Sequence, residues 1–329
     1  MTATISTRPS SSPGPPSPLA ARRRAIGDRI FRYLTIVSGL MVLVILGLIA
    51  VSSTGKALPA FRHEGLSFVL SSNWNPPEGK FGALAFVYGT MLTSLIAIVI
   101  GVPVSVGIAL VLTEVAPFWV RKPIIYLIDL LAAIPSVVYG LWGILVLAGT
   151  LDKFYGHVQN VTRHVPVLHT LFGGNHNGRS LFTAGLVLAL MITPIVTSLS
   201  REVFATVPTA QKEAALALGS TRWEMIRGTV LPYGRSGVTG AVMLGLGRAM
   251  GETIAVALLI GSNAKITAHL FESGDAMASV IANSFNEATG TYQSALIALG
   301  VLLFAMTIVI NLAARAVLNR AERRLGSQI

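Results

Sequence analysis

Two charged residues stand in the most apolar part of the chain. Arg248 and Glu252 lie within GVTGAVMLGLGRAMGETIAVALLIG, a run otherwise free of ionisable groups. Spaced by four, they share one face of a helix and are placed to pair. An ionisable group buried in a membrane-length run is expensive and as a rule faces a cavity or a partner. Arg248 presents a planar, permanently charged fork of donors suited to a tetrahedral oxyanion. Glu252 would neutralise it when the site is empty and compete with the anion, so that binding stays reversible. Gly245, Gly247 and Gly251 lie alongside, and Gly247 with Gly251 makes a small-xxx-small surface open to a second backbone. The structural alternative is a self-satisfied ion pair that only fixes helix packing, and it makes poor use of a buried pair.

Other chemistry-bearing residues carry less. His157, His164, His169 and His176 fall within one loop, but their spacing is irregular and no cysteine or carboxylate cluster joins them. A solvated loop is the better reading than a metal site. GGNHNGRS, from Gly173, imitates a phosphate-binding loop with Arg179 in place of the required Lys, and no strand precedes it. Asn160-Val161-Thr162 matches a glycosylation acceptor, a motif short enough to arise by chance. Without cysteine there is no disulfide or thiolate chemistry to consider. No cofactor is implied, and no nucleotide-binding motif of the chain's own is present.

The elements that position Arg248 and Glu252 belong to a membrane. The chain is 53% hydrophobic and 12% charged over 329 residues, with the apolar residues in long runs. Runs long enough to cross a bilayer occur at Leu34 to Val51, Leu84 to Leu112, Ile124 to Ala148, Leu181 to Leu199, Val238 to Ile260 and Ser294 to Val317. The expected fold is therefore an all-α integral membrane protein of six helices. Placing the amino end inside gathers most of the basic residues in the cytoplasm, among them Arg22, Arg23, Arg24, Arg121, Lys122, Arg201, Lys212, Arg222, Arg227, Arg320 and Arg323. Lys56, Arg62, Lys80, Lys153, Arg163, Arg179 and Lys265 then face out. Both termini are expected in the cytoplasm, and the net charge of +11 reads as topology, not as nucleic-acid binding.

Residues 1–30 are expected to form a disordered cytoplasmic tail, their first twenty being rich in Ser, Thr and Pro. Residues 31–329 are expected to form a single transmembrane domain. Trp74, Pro76, Pro77 and Gly79 place turns in the first outward loop, and Trp74 and Phe81 suit a membrane interface. Pro135 and Pro194 are expected to kink the third and fourth helices. Met277, Val280, Ile281, Ser284 and Phe285 share a face of a short helix between the last two spans, either part of an outer gate or simple packing.

The longest polar, helix-forming passage runs from Arg201 to Pro232, REVFATVPTAQKEAALALGSTRWEMIRGTVLP. Gly219 interrupts it where a left-handed turn is cheap, and Ser220 or Thr221 can cap a second helix with Glu224 in its first turn. Pro232, followed by Gly234, is expected to end that helix. Glu213, Ala214, Ala215, Gly219, Leu231 and Pro232 reproduce the EAA motif, which resembles the ATPase-docking loop of ABC importer permeases; the coupling loop would span 201–236. One departure is Thr229, where that family often has Ile.

Together with this loop, WNPPEGKFGALAFVYGTMLTSLIA, LTEVAP, LLAAIPSVVYGLWG and GLGRAMGETIAV look like the PstC-type permease subunits of bacterial high-affinity phosphate ABC importers. The resemblance covers most of the chain beyond residue 30. It implies a type I importer fold, a PstA-type homologous permease as partner, a cytoplasmic ATP-binding subunit dimer and an extracytoplasmic phosphate-binding protein. It also implies that Arg248 and Glu252 serve phosphate transport. A permease for sulfate or molybdate, a membrane enzyme and a passive anion channel remain as alternatives; the docking loop speaks against the last two.

Overall fold

The computed structural model describes residues 18–326, with side chains described for residues 28–316 except 166 and 167. It divides into two units, residues 1–52 and 53–329. The first unit holds most of α1 (Pro18–Glu64), whose side chains from Ile30 to Val51 are largely exposed and apolar. Of the tail expected over residues 1–30, residues 1–17 lie outside the described residues. Residues 18–30 are helical instead: Pro18 opens the helix, and Leu19, Ala20, Ala21 and Arg22 are good helix formers running into the apolar stretch.

In the second unit, α2 (Ser67–Leu70) leads to a short hairpin, β1 (Trp74–Asn75) against β2 (Lys80–Phe81), with Gly79 in the left-handed region at its turn. Trp74 packs within the chain, its ring 5.4 Å from Phe81 and 5.0 Å from Phe86.

The membrane core follows: α3 (Leu84–Leu110), α4 (Phe118–Ala133), α5 (Ser136–Trp142), α6 (Ala148–Thr162), α7 (Pro166–Phe172) and α8 (Leu181–Ala205). A wide π-type turn at Val111–Val115 ends α3, and another at Gly143–Leu147 joins α5 to α6. Helices α3 and α8 cross closely because each gives up a side chain at the contact. A Cβ at Gly185 would lie 2.6 Å from Ile96, and one at Gly101 would lie 3.0 Å from Ile192. Around the crossing, Leu181, Leu188, Ile192, Val256, Leu259 and Ile260 form the central core.

Beyond α8 come α9 (Thr209–Ala217), α10 (Arg222–Met225), a third π-type turn at Ile226–Val230, α11 (Leu231–Met250), α12 (Ile254–Leu259), α13 (Met277–Ser284) and α14 (Gly290–Gly326). Met277 and Val280 of α13 are buried, in one cluster with Leu296 and Leu299 of α14.

Five helical stretches among the described residues are long and apolar enough to cross a membrane: Asp28–Glu64, Leu84–Val115, Ser136–Thr162, Leu181–Ala205 and Gly290–Ala316. The expected run Val238 to Ile260 is not one continuous helix, because it is interrupted between α11 and α12. Pro194 is buried within an unbroken α8, where Ser105 Oγ donates to the neighbouring Thr193 carbonyl at 3.3 Å. Pro135 does more than kink its helix: α4 stops at Ala133, Ile134 and Pro135 are extended, and α5 starts at Ser136. As a proline it cannot donate to the Leu131 carbonyl. The Tyr139 hydroxyl, one turn on, donates there instead at 2.9 Å.

Candidate functional site

Arg248 and Glu252 lie at the interruption of the fifth expected span. Helix α11 closes with Gly251 N–H donating to the Gly247 carbonyl at 3.2 Å and Glu252 N–H to Ala249 at 3.4 Å. Thr253 Oγ1 then donates to the Gly251 carbonyl at 3.2 Å, and the chain restarts as α12. Glu252 is therefore not the next turn of Arg248's helix, and the i, i+4 register that would pair them is lost. No ion pair joins them among the described residues. The half-buried Glu252 carboxylate instead accepts from Ala255 N–H at 3.4 Å, in the first turn of α12. Arg248 ends in the last turn of α11, exposed and without a hydrogen bond among the described residues.

The two broken helices pack on each other. A Cβ at Gly140 of α5 would lie 2.9 Å from the Ala255 Cα, and one at Gly143 would lie 2.9 Å from Leu259. Tyr139 is thereby brought within electrostatic reach of Arg248. Beside the α4–α5 break an apolar cavity of about 400 Å³ is lined by Leu131, Ile134, Val138, Tyr139, Trp142 and Pro194, among others.

Helix α11 carries glycine on two faces. Gly234, Gly237 and Gly245 meet Phe204, Val203 and Val196 of α8. Gly240 and Gly247 meet nothing within 4 Å, and Gly251 meets only the Gly247 carbonyl. Leu244, on the same open face, is 57% exposed.

The passage 201–232 folds as helix, turn, helix. Gly219 takes φ +89°, and its N–H donates to the Leu216 carbonyl at 3.0 Å, with Ser220 N–H on Ala215 at 3.2 Å. Thr221 caps α10: its hydroxyl accepts from Glu224 N–H at 3.3 Å, and the Glu224 carboxylate accepts from Thr221 N–H at 2.8 Å. The Thr221 N–H, and the Thr221 hydroxyl 2.8 Å from the same carboxylate oxygen, hold the Glu224 carboxyl below its ordinary range. Pro232 does not end the second helix as expected. It sits just after the π-type turn at Ile226–Val230, which carries the helix on from α10 into α11 and widens it ahead of the proline, whose ring and missing N–H a regular α-helical interior would not accept. Met225, Ile226 and Val230 are buried in one cluster with Ala109, Phe204 and Val207, which fixes the lobe to the membrane helices. Its other side is open: Glu213 and Ala214 are exposed, Leu218 is 89% exposed and Trp223 63%.

No group of three metal-ligating side chains occurs among the described residues. His176 is instead half-buried with Nδ1 2.6 Å from Asp152. Residues 173–180 follow a helix, not a strand. Sequence reading missed Tyr155, which is fully buried, stacks on Phe271 at 3.9 Å between centroids, and hydrogen-bonds Thr183 Oγ1 at 2.7 Å. It also missed Lys212, whose Nζ donates to Glu114 at 2.6 Å. Partners 98 positions apart in sequence leave no local signal.

This is a helical, multi-pass membrane protein with a surface lobe between two of its helices and a charged break in a third. Residues 101–326 match the family model described as binding-protein-dependent transport system inner membrane component, and the chain belongs to that family. It is 45% identical over 328 residues to the phosphate transport system permease protein PstC of Xylella fastidiosa strain Temecula1, covering 99% of this chain and 100% of that protein. To the protein of the same description from Mesorhizobium japonicum it is 44% identical over 308 residues, covering 93% and 94%. Among solved structures, a chain of a bacterial alginate ABC transporter in complex with an alginate pentasaccharide-bound periplasmic protein shares the fold. The TM-score is 0.58 at 18% identity, over 91% of this chain and 97% of that one.

Proposed function

We propose that this chain is one of two permease subunits of an ATP-driven importer that takes up inorganic phosphate delivered by an external binding protein. The observation that carries the reading is Arg248: a permanent cation on a broken membrane helix, unpaired by Glu252 and beside an open glycine face. A guanidinium carried into a bilayer on such a helix is stable only when something covers it. The full-length likeness to phosphate permeases supports phosphate as the anion. The face formed by Gly240, Leu244, Gly247 and Gly251 suits a helix of a homologous, PstA-type permease. Arg248 would then line a pathway shared by two subunits, with Glu252 acting on the anion from the start of α12.

Six crossings with both termini in the cytoplasm put the Glu213–Pro232 lobe on the cytoplasmic face. There the exposed Leu218 and Trp223 offer a seat to an ATP-binding subunit dimer, with Glu213, Ala214, Ala215, Gly219, Leu231 and Pro232 shaping the lobe. ATP binding and hydrolysis in that dimer would move the lobe, and α4–α5 and α11–α12 would follow at their breaks.

The test is labelled phosphate uptake at low external phosphate in cells lacking the chain, restored with the native form or with Arg248→Ala at matched membrane levels. Rescue by the native form alone, resistant to excess sulfate and molybdate, is the expected result. Rescue by both forms would remove Arg248 from the pathway. Competition by sulfate or molybdate would assign a different oxyanion.

A further inference from the structure

The surface lobe is held to the membrane helices by more than apolar contact. Lys212 of α9 donates from Nζ to Glu114 Oε1 at 2.6 Å, with the two side chains only 18% and 7% exposed. The Lys80–Glu78 pair, by contrast, is 56% exposed on both sides. Glu114 lies in the π-type turn Val111–Val115 that ends α3, and its neighbour Leu112 is 1% exposed. The same short segment is gripped from the other side. Arg121, in the first turn of α4, donates from Nη2 to the carbonyls of Thr113 at 3.1 Å and Ala116 at 3.4 Å. Helix α4 then runs to the break at Ile134–Pro135, where the Tyr139 hydroxyl donates to the Leu131 carbonyl at 2.9 Å.

We propose that the Lys212–Glu114 pair is the tie through which movement of the lobe passes to α3 and α4, so that both residues have a positioning role in coupling hydrolysis to transport. Opening a buried pair strands a charge out of water, so the pair stays closed while the lobe is pushed. A π-type turn can shift its hydrogen-bond register without unwinding the helix, which gives the pulled segment somewhere to go. The inference rests on the proposed reading of the lobe as the ATPase seat.

The test uses the complete importer in proteoliposomes, comparing Lys212→Glu, Glu114→Lys and the double swap. Phosphate uptake, ATP hydrolysis stimulated by the loaded binding protein, and copurification of the ATP-binding subunits are read together. Each single reversal is expected to lower uptake about tenfold or more with copurification kept within about twofold, and the swap to restore uptake to within about threefold of native. Where a reversal lowers the membrane level, the uncharged Lys212→Met and Glu114→Gln decide: each is expected to raise the ATP hydrolysed per phosphate carried by about threefold or more. A swap no better than the worse single, or uncharged variants coupled like the native chain, would overturn the tie. Loss of copurification in Lys212→Glu would also overturn it, making Lys212 a docking contact. A native chain that never retains the ATP-binding subunits would instead remove the docking reading itself.

Discussion

Gly219 isolates the cost of one backbone angle. It adopts φ +89°, and a Cβ added there would meet no atom within 4 Å. Substitution therefore tests conformational strain with no steric clash to confuse it. Placing an ordinary L-residue in the left-handed region costs roughly 1–2 kcal/mol, with Asn below that and β-branched residues above it. The two hydrogen bonds that close the turn, Gly219 N–H on Leu216 and Ser220 N–H on Ala215, are the ones that respond. A loss of about 1–2 kcal/mol shifts the closed turn's population by roughly 5–30-fold. Gly228 is the control: it too meets nothing within 4 Å, but its φ is not positive and it lies within a helical turn, so Gly228→Ala is expected to leave exchange at Ser220 no faster than in the native chain. The assay is hydrogen exchange at Ser220 in the full chain in lipid nanodiscs, paired with retention of the ATP-binding subunits. Exchange is expected to rise and retention to fall in the order native, Gly219→Asn, Gly219→Ala, Gly219→Val. Equal protection in Gly219→Val and the native chain would refute the claim that this angle sets the lobe.

The aromatic packing around Tyr155 predicts a graded loss. Phe271→Ala removes a ring that is 2% exposed and is expected to cost about 3–5 kcal/mol. Tyr155→Phe leaves Ser180 and Thr183 bonded to each other at 3.1 Å and is expected to cost only about 1 kcal/mol. Heat-inactivation midpoints in detergent check the order, and a larger fall in Tyr155→Phe would contradict it. Asp275, between α12 and α13, is 8% exposed, and burial pushes its carboxyl from the usual 3.8 up to about 6. Because the folded value is the higher one, its protonated form favours the fold. That contribution, on the order of 3 kcal/mol, is complete below about pH 4 and is lost as pH rises through about 6. Between pH 5 and 7 the native midpoint should fall relative to that of Asp275→Asn, and parallel profiles would count against the shift.

Some of this molecule could be read from sequence because the signal was local. The turn at Gly219 and the Thr221–Glu224 capping box use residues within five positions of each other, and both appear as expected. The apolar runs were legible because transfer into lipid adds residue by residue. Hydropathy does not register where a backbone hydrogen bond is missing, so Ala-Met-Gly-Glu-Thr read as a continuing helix although the chain interrupts it. Pro135 announced a disturbance but not its size. The size lies in the extended backbone of Ile134 and Pro135, where the Leu131 carbonyl accepts from Ile134 N–H at 3.4 Å and from the Tyr139 hydroxyl at 2.9 Å. The Lys212–Glu114 pair had no local trace, since neither residue has its partner within a helical turn.

The interruption after Met250 changes what the two charges do. On an unbroken helix Arg248 and Glu252 would neutralise each other, and an incoming anion would have to separate a pair already satisfied. Here Glu252 is engaged with the first turn of α12, while Arg248 is left at the end of α11 with its donors free among the described residues. The open glycine face lies along the same helix, so whatever packs there also encloses the guanidinium. On the proposed reading, enclosure would lower the local dielectric and strengthen attraction for an anion, while the exposed position in the single chain would leave the isolated subunit a weak binder. On that reading, such an anion site would be complete only when a second helix covers that face, as a pathway built between two permease subunits would require.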